Sequence, residues 1–224
     1  MCYAGEWMCS PGVVVTTPGD RLKKAGVGMD AVRAYLREVL DRAAKPLAWL
    51  LLWCHVTPNQ VSLMGIFLTL VTAFLIVDGQ LLLAGAMYIL AASLDLLDGV
   101  LARMAKMASR FGAFLDSTAD RISEGVVFAA IAYHFAHHGQ SVDAALAVLA
   151  LLGSLLVSYT RARAEGLGLE CKVGIMTRAE RVLLIAFGLM LGLLPEAIYL
   201  LVALTAFSAM QRILHTFRQL YPQG

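Results

Sequence analysis

Residues 81–137 read LLLAGAMYILAASLDLLDGVLARMAKMASRFGAFLDSTADRISEGVVFAAIAYHFAH. Two apolar runs flank a stretch that holds four aspartates, Asp95, Asp98, Asp116 and Asp120, with Arg103, Lys106, Arg110 and Arg121 among them. The pattern predicts two helices whose far halves suit a bilayer and whose near ends are charged. An aspartate near the middle of a spanning helix costs roughly 2.5–3.5 kcal/mol on insertion scales, so four left bare would cost on the order of 10 kcal/mol. Something must offset that cost. The natural candidate is a divalent metal, with water and a charged substrate.

The rest of the chain agrees with a bilayer. Of 224 residues, 59% are hydrophobic and 15% charged, where a soluble domain averages about 25% charged. Runs 61–77, 81–94, 125–136, 144–157, 182–194 and 197–210 are apolar with isolated polar residues. Several are shorter than the ~20 residues a span needs, so their polar flanks must enter the membrane or line a cavity. Six spanning helices are expected: 58–77, 81–106, 112–137, 142–165, 178–194 and 196–218. Residues 78–80 and 138–141 have the Gly-containing composition of tight turns. Pro195 suits the first turn of the last helix.

The fold class is therefore an all-α integral membrane protein of six transmembrane helices preceded by an amphipathic interfacial helix. Residues 1–28 have the composition of a disordered tail, 29–56 that of a juxtamembrane helix, and 57–220 form the membrane domain. In 29–56 the apolar positions Val32, Leu36, Val39 and Leu40 recur at helical spacing beside Arg33, Arg37, Arg42 and Lys45. Such a helix lies on a membrane surface. Thr57 before Pro58 is a natural N-cap.

Charge sets the orientation. With both termini inside, the outer connections near 78–80, 138–141 and 195 carry no Lys or Arg, and all 18 basic residues fall on the cytoplasmic side. This is the positive-inside pattern. It places the chain in the cytoplasmic membrane with the aspartates facing the cytoplasm. Cys2, Cys9, Cys54 and Cys171 lack metal-ligand or redox spacing and are expected as free thiols. Nothing in the charge pattern points to a nucleic-acid partner.

Spacing organises the acids. Asp95, Asp98 and Ala102 lie at i, i+3 and i+7, on one face of a helix, and Gly112, Asp116 and Asp120 at i, i+4 and i+8 on one face of the next. A short basic turn joins the two, so they are expected as antiparallel neighbours with facing carboxylates. Four hard oxygen ligands suit Mg²⁺ or Mn²⁺, and two such ions would match two-metal phosphoryl displacement. Gly99, Ala102 and Gly112 either let backbones pack or leave room for a ligand. A structural ion-pair network with Arg103, Arg110 and Arg121 is the plain alternative for the acids, but it needs no fixed spacing between two helices.

The spacing D-x2-D-G-x2-A-R-x8-G-x3-D-x3-D, filled by Asp95, Asp98, Gly99, Ala102, Arg103, Gly112, Asp116 and Asp120, resembles the signature of the CDP-alcohol phosphatidyltransferase family. The resemblance implies that CDP-diacylglycerol binds with its diphosphate on the metals. Asp95, Asp98 and Asp116 are implied as main ligands, with Asp120 at the edge of the site and acting as general base. Asp98, Gly99, Ala102, Arg103 and Gly112 would contact the CDP-lipid. A homodimer is implied as well.

The motif leaves the acceptor open. Three segments share the cytoplasmic side: Ser158-Tyr159-Thr160-Arg161-Ala162-Arg163-Ala164-Glu165, Thr177-Arg178-Ala179-Glu180-Arg181, and Gln211-Arg212. Arg161, Arg181 and Arg212, with Ser158, suit the phosphate of a phosphorylated polyol. These segments resemble the bacterial phosphatidylinositol phosphate synthases, which implies inositol 1-phosphate. Arg161 stands where those enzymes carry Lys, which keeps glycerol 3-phosphate as the alternative. A cation transporter is disfavoured because the polar residues gather at one end; a non-catalytic CDP-lipid binder is disfavoured by the intact Asp120. His134, His137 and His138 are expected at the outer end, far from the acids, and His215 near Arg212.

Overall fold

The computed structural model describes residues 29–53, 57–105, 109–171 and 173–221. The expected tail (1–28), Cys2, Cys9, Cys54, Lys106 and Lys172 lie outside the described residues. Among those described there are seven helices and no strand: α1 (Met29–Trp53), α2 (Pro58–Val77), α3 (Leu81–Met104), α4 (Arg110–His137), α5 (Ser141–Gly166), α6 (Arg178–Leu191) and α7 (Leu194–Leu220). The chain divides into two units, Met1–Lys45 and Pro46–Gly224. Of the first, only the early part of α1 is described, with Tyr35 and Val39 exposed. The side chains of Val32, Leu36 and Leu40, on which the amphipathic reading rests, are outside the description. Everything below concerns the second unit.

Local chemistry sets the helix ends. Thr57 is extended before Pro58, and its backbone N–H donates to Gln60 Oε1 at 2.9 Å, one half of a capping box. Gly79 (φ 82°) and Gly139 (φ 76°) turn the chain between α2 and α3 and between α4 and α5, in the left-handed region that only glycine enters without a Cβ penalty. Ser109 caps α4 by accepting the Gly112 N–H at 2.9 Å. Pro195 stands in the first turn of α7.

The chain is a membrane protein. Helices α2, α3, α5 and α7 are each long and apolar enough to cross a bilayer. Their large apolar side chains point outward, among them Phe67, Leu70 and Phe74 on α2 and Leu149 and Leu152 on α5, as lipid-facing surfaces require. Helix α4 is long but carries the acids, and α6 has 14 residues, about 21 Å at 1.5 Å per residue.

The main packing pairs are α2 with α3 and α4, α3 with α6, α6 with α7, α7 with α5, and α5 with α4. The six helices thus close a ring in which each has two neighbours. Ile76, Tyr88, Phe128, Ile131, Phe135, Ile185, Leu189 and Ile198 belong to one buried cluster inside it. Lipid offers no hydrophobic drive for helices to associate, so close van der Waals contact must serve. Small residues allow it: a Cβ at Gly85 would come 2.7 Å from Ala186 O, and one at Gly153 would collide with Thr205.

The ring corrects one expectation. Helices α3 and α4 are not one of the main packed pairs. They face each other across a cavity, and α2 packs against both.

Candidate active site

The cavity measures about 310 Å³. Asn59, Ser62, Ile66 and Thr69 line it from α2, Tyr88, Ala91 and Asp95 from α3, Gly112, Asp116, Asp120 and Ser123 from α4, and Arg178 and Val182 from α6. Its lining combines the carboxylates of Asp95, Asp116 and Asp120 with apolar side chains such as Leu63, Ile66, Leu115 and Val182. That suits a molecule with a charged head and a greasy tail.

Three of the expected acids meet at this cavity. Carboxylate oxygens of Asp95, Asp98 and Asp116 lie within 4.8 Å of one another. Asp98 is buried and accepts the Ser62 hydroxyl at 2.5 Å. Asp95 is half-buried and Asp116 exposed. Asp120, one turn beyond Asp116, lies apart from that triad and pairs with Arg178 (Nη1 to Oδ1, 2.9 Å) and, at 3.3 Å, with Arg121. Asp120 Oδ1 is nevertheless buried without a hydrogen-bond partner.

These residues fit a divalent cation. Three hard oxygen donors from two helices converge, the Ser62 hydroxyl orients one of them, and Arg178 has been drawn in as a positive charge. Asp95, Asp98 and Asp116 would hold the ion, which suits Mg²⁺ or Mn²⁺ by ligand type.

The small residues answer the packing question left open above. A Cβ on Gly99 would meet only Arg103 Nη1, at 3.5 Å, and one on Gly112 only its own cap, Ser109 Oγ, at 3.0 Å. No neighbouring helix presses on either glycine, in contrast to Gly85 and Gly153. Ala102 is half-buried and Arg103 exposed beside them. The face is open.

The acceptor candidates are placed differently. Arg161 is exposed and pairs with Glu165 four residues on (Nε to Oε1, 2.8 Å). Ser158 is half-buried and donates to Ser154 O. Arg181 is only 1% exposed and makes a fork to buried Glu124, Nε to Oε1 at 2.7 Å and Nη2 to Oε2 at 3.0 Å. Arg212 is buried and donates to the carbonyls of Val173 (2.9 Å) and Val157. His215 lies near Glu170 O rather than the cavity. His134, His137 and His138 cluster in tilted and edge-on contacts at the far end of α4, with His134 18 residues or about 27 Å from Asp116.

Arg178 is the residue the sequence reading passed over. It donates to Asp95 Oδ2 and pairs with Asp120. A signal for it existed: Arg178 and Arg181 are three apart on α6, and Asp120 and Glu124 are four apart on α4, so two rungs can form between the same two faces.

A helical ring with four helices fit to cross a bilayer, and a carboxylate triad beside a cavity of mixed acidic and apolar lining, suits an enzyme that works on lipids. The chain belongs to the CDP-alcohol phosphatidyltransferase family, whose model matches residues 55–214. It is 33% identical over 195 residues to the archaetidylinositol phosphate synthase of Methanothermobacter thermautotrophicus, covering 84% of this chain and 92% of that one. It is 34% identical over 178 residues to the phosphatidylinositol phosphate synthase of Corynebacterium glutamicum, covering 75% and 81%. Among solved structures it resembles the Mycobacterium tuberculosis phosphatidylinositol phosphate synthase with CDP-DAG bound, with TM-score 0.72, 31% identity, and 79% and 94% of the two chains covered. The same enzyme in complex with manganese and citrate matches with TM-score 0.71 and 31% identity, over 77% and 88%.

Proposed function

We propose that this enzyme transfers the phosphatidyl group of CDP-diacylglycerol to a hydroxyl of a phosphorylated polyol, inositol 1-phosphate, and releases CMP. What carries this is the meeting of Asp95, Asp98 and Asp116, two of which line a cavity whose other walls are largely apolar. The named activities of the relatives support the donor and the acceptor class, and the manganese-bound neighbour supports a divalent ion.

The roles divide as follows. Asp95, Asp98 and Asp116 would hold the cations, a pair of Mg²⁺ or Mn²⁺ ions, with Asp120 at the edge. A bound divalent ion supplies charge stabilisation at the phosphoryl oxygens and the leaving CMP. Gly99, Ala102 and Gly112 border the cytidine, Arg103 faces a phosphate, and the apolar walls of the cavity take the start of the lipid. Asp120 accepts the proton of the acceptor hydroxyl. That oxygen bonds to the lipid-side phosphorus as the bond to the CMP oxygen breaks. Base positioning of this kind contributes on the order of 10²–10⁴-fold.

Ser158, Arg161, Arg181 and Arg212 make up the acceptor side. Arg161 is the exposed member and would meet an incoming phosphate first. Arg181 and Arg212 are committed to Glu124 and to two carbonyls, so they act on the acceptor only by sharing those partners.

Helices α4 and α6 complete a six-span bundle, with α1 lying on the membrane surface. The absence of Lys and Arg from 78–80, 138–141 and 195 supports cytoplasmic termini and a site facing the cytoplasm. The enzyme works as a homodimer. The archaetidyl relative supports one second reading, an ether-linked lipid in the donor.

The test is CMP release by the purified enzyme with CDP-diacylglycerol and Mg²⁺, comparing inositol 1-phosphate, glycerol 3-phosphate, free inositol and serine. Turnover with inositol 1-phosphate is expected. Preference for glycerol 3-phosphate would keep the mechanism and change the acceptor. Turnover only with an uncharged alcohol would remove the acceptor role of the arginines. A parallel series with CDP-archaeol decides the donor.

A further inference from the structure

Two ion pairs join α4 to α6, and they differ in kind. Arg181 meets Glu124 through two different nitrogens, in the planar fork that makes arginine–carboxylate pairs strong and directional. Arg178, one turn earlier, meets two carboxylates through a single nitrogen, Nη1, which touches both Asp95 and Asp120. Its Nε is buried and has no hydrogen-bond partner. A guanidinium that leaves a buried N–H unpaired forfeits part of its pairing, because an unmade buried hydrogen bond carries a desolvation cost. Arg181 is therefore locked and Arg178 is held loosely.

Its position explains why a loose cation is useful. Asp95 is one of the three carboxylates that converge within 4.8 Å, and Arg178 already occupies Asp95 Oδ2. Without a positive charge there, Asp95, Asp98, Asp116 and Asp120 would repel one another in a setting of low dielectric. Resting on the cation site proposed above, we infer that Arg178 is a tethered counter-cation: it neutralises the acids when no divalent ion is bound, and the ion must displace it from Asp95 to bind. Metal entry then releases a guanidinium into the cavity it lines, next to Asp120. Arg178 acts on the metal through Asp95 and is a positioning residue.

The inference is tested on metal binding alone, without donor or acceptor. Free Mn²⁺ is measured by electron paramagnetic resonance during titration of the detergent-purified wild type and of Arg178→Gln. Removing the competitor is expected to tighten Mn²⁺ binding roughly tenfold, the equivalent of about 1.4 kcal/mol. Equal or weaker binding by Arg178→Gln, with the wild type binding normally, overturns the counter-cation role and leaves the metal site standing. Failure of the wild type to bind Mn²⁺ overturns both. Should Arg178→Gln not fold, the wild type still decides: phenylglyoxal modification of Arg178, read by peptide mass spectrometry, is expected to rise severalfold on adding Mn²⁺. Unchanged or reduced modification overturns the inference.

Discussion

The Glu124–Arg181 pair makes a sharp prediction because it is almost sealed, with side-chain exposures of 2% and 1% and two hydrogen bonds of 2.7 and 3.0 Å. Arg181→Met leaves the Glu124 carboxylate buried without its counter-charge, and Glu124→Leu does the converse. Removing one partner of such a pair costs about 3–5 kcal/mol. For a chain of this size 1 kcal/mol moves Tm by roughly 2–4 °C, so each single variant should lose about 6–20 °C. The double variant Glu124→Leu/Arg181→Met has no orphaned charge and should return to within about 1–2 kcal/mol of the wild type, since hydrophobic replacement of a buried pair is often neutral or better. Thermal unfolding of all four proteins in the same detergent closes the cycle. Additive losses in the double variant, or a single variant as stable as the wild type, would refute a coupled buried pair. The double variant also separates two roles for Arg181. If Arg181 contributes to acceptor binding as well, the refolded double variant keeps its stability but shows a raised KM for inositol 1-phosphate with an unchanged KM for the CDP-lipid.

Four further outcomes are expected. Asp120→Asn should lower kcat by at least about 10²-fold while the protein stays folded; near-normal turnover would remove Asp120 from the base role. Ser62→Ala deletes the hydroxyl that orients Asp98 and should weaken Mn²⁺ binding about 10–100-fold, as loss of a hydrogen bond behind a metal ligand does; unchanged titration would detach Ser62 from the site. Gly99→Ala and Gly85→Ala should move stability in opposite directions: the first gains up to about 1 kcal/mol of helix propensity because its Cβ meets only Arg103, while the second loses stability because its Cβ meets Ala186 O and Met190. Gly99→Ala should also raise the KM for the CDP-lipid, and an unaltered KM would take Gly99 off the nucleotide face. Removal of divalent ions with EDTA should abolish CMP release, and Mg²⁺ or Mn²⁺ should restore it.

Much of this was legible in the chain itself. The turns at Gly79 and Gly139, the cap at Thr57, and Pro195 at the start of α7 are local features, and local features are where sequence speaks most directly. The helix starts at 58 and 178 agree with the structure, and the spans of α3, α4 and α5 differ from expectation by one or two residues. The convergence of Asp95, Asp98 and Asp116 followed from spacing within two helices joined by a short turn.

What spacing cannot supply is which helix stands beside which. A period of 3.6 residues assigns a residue to a face of its own helix and says nothing of the neighbour that face meets. That is why α3 and α4 could be expected as neighbours with facing carboxylates while the helix that packs against both, α2, went unforeseen. The same gap hid Arg178, which lies 83 residues from Asp95 in the chain and beside it in the ring. It also made Arg161, Arg181 and Arg212 look alike, when one is exposed and two are buried with partners of their own.

The arginines also account for how the acids are tolerated. Glu124 lies deepest of the acids on α4 by position in the helix, is nearly fully buried, and has the fork. Asp120, one turn nearer the basic end, shares a single nitrogen of Arg178 with Asp95 and has half-exposed Arg121 at 3.3 Å. Asp116, a further turn on, is exposed, and among the described residues no arginine pairs with it within 4 Å. Permanent pairing thus weakens step by step from the bundle interior toward the open face. A permanent counter-charge is needed where no ion can reach, and it would be a competitor where one must bind. The gradient along Glu124, Asp120 and Asp116 puts the fixed partner at the first kind of place and leaves carboxylates available at the second.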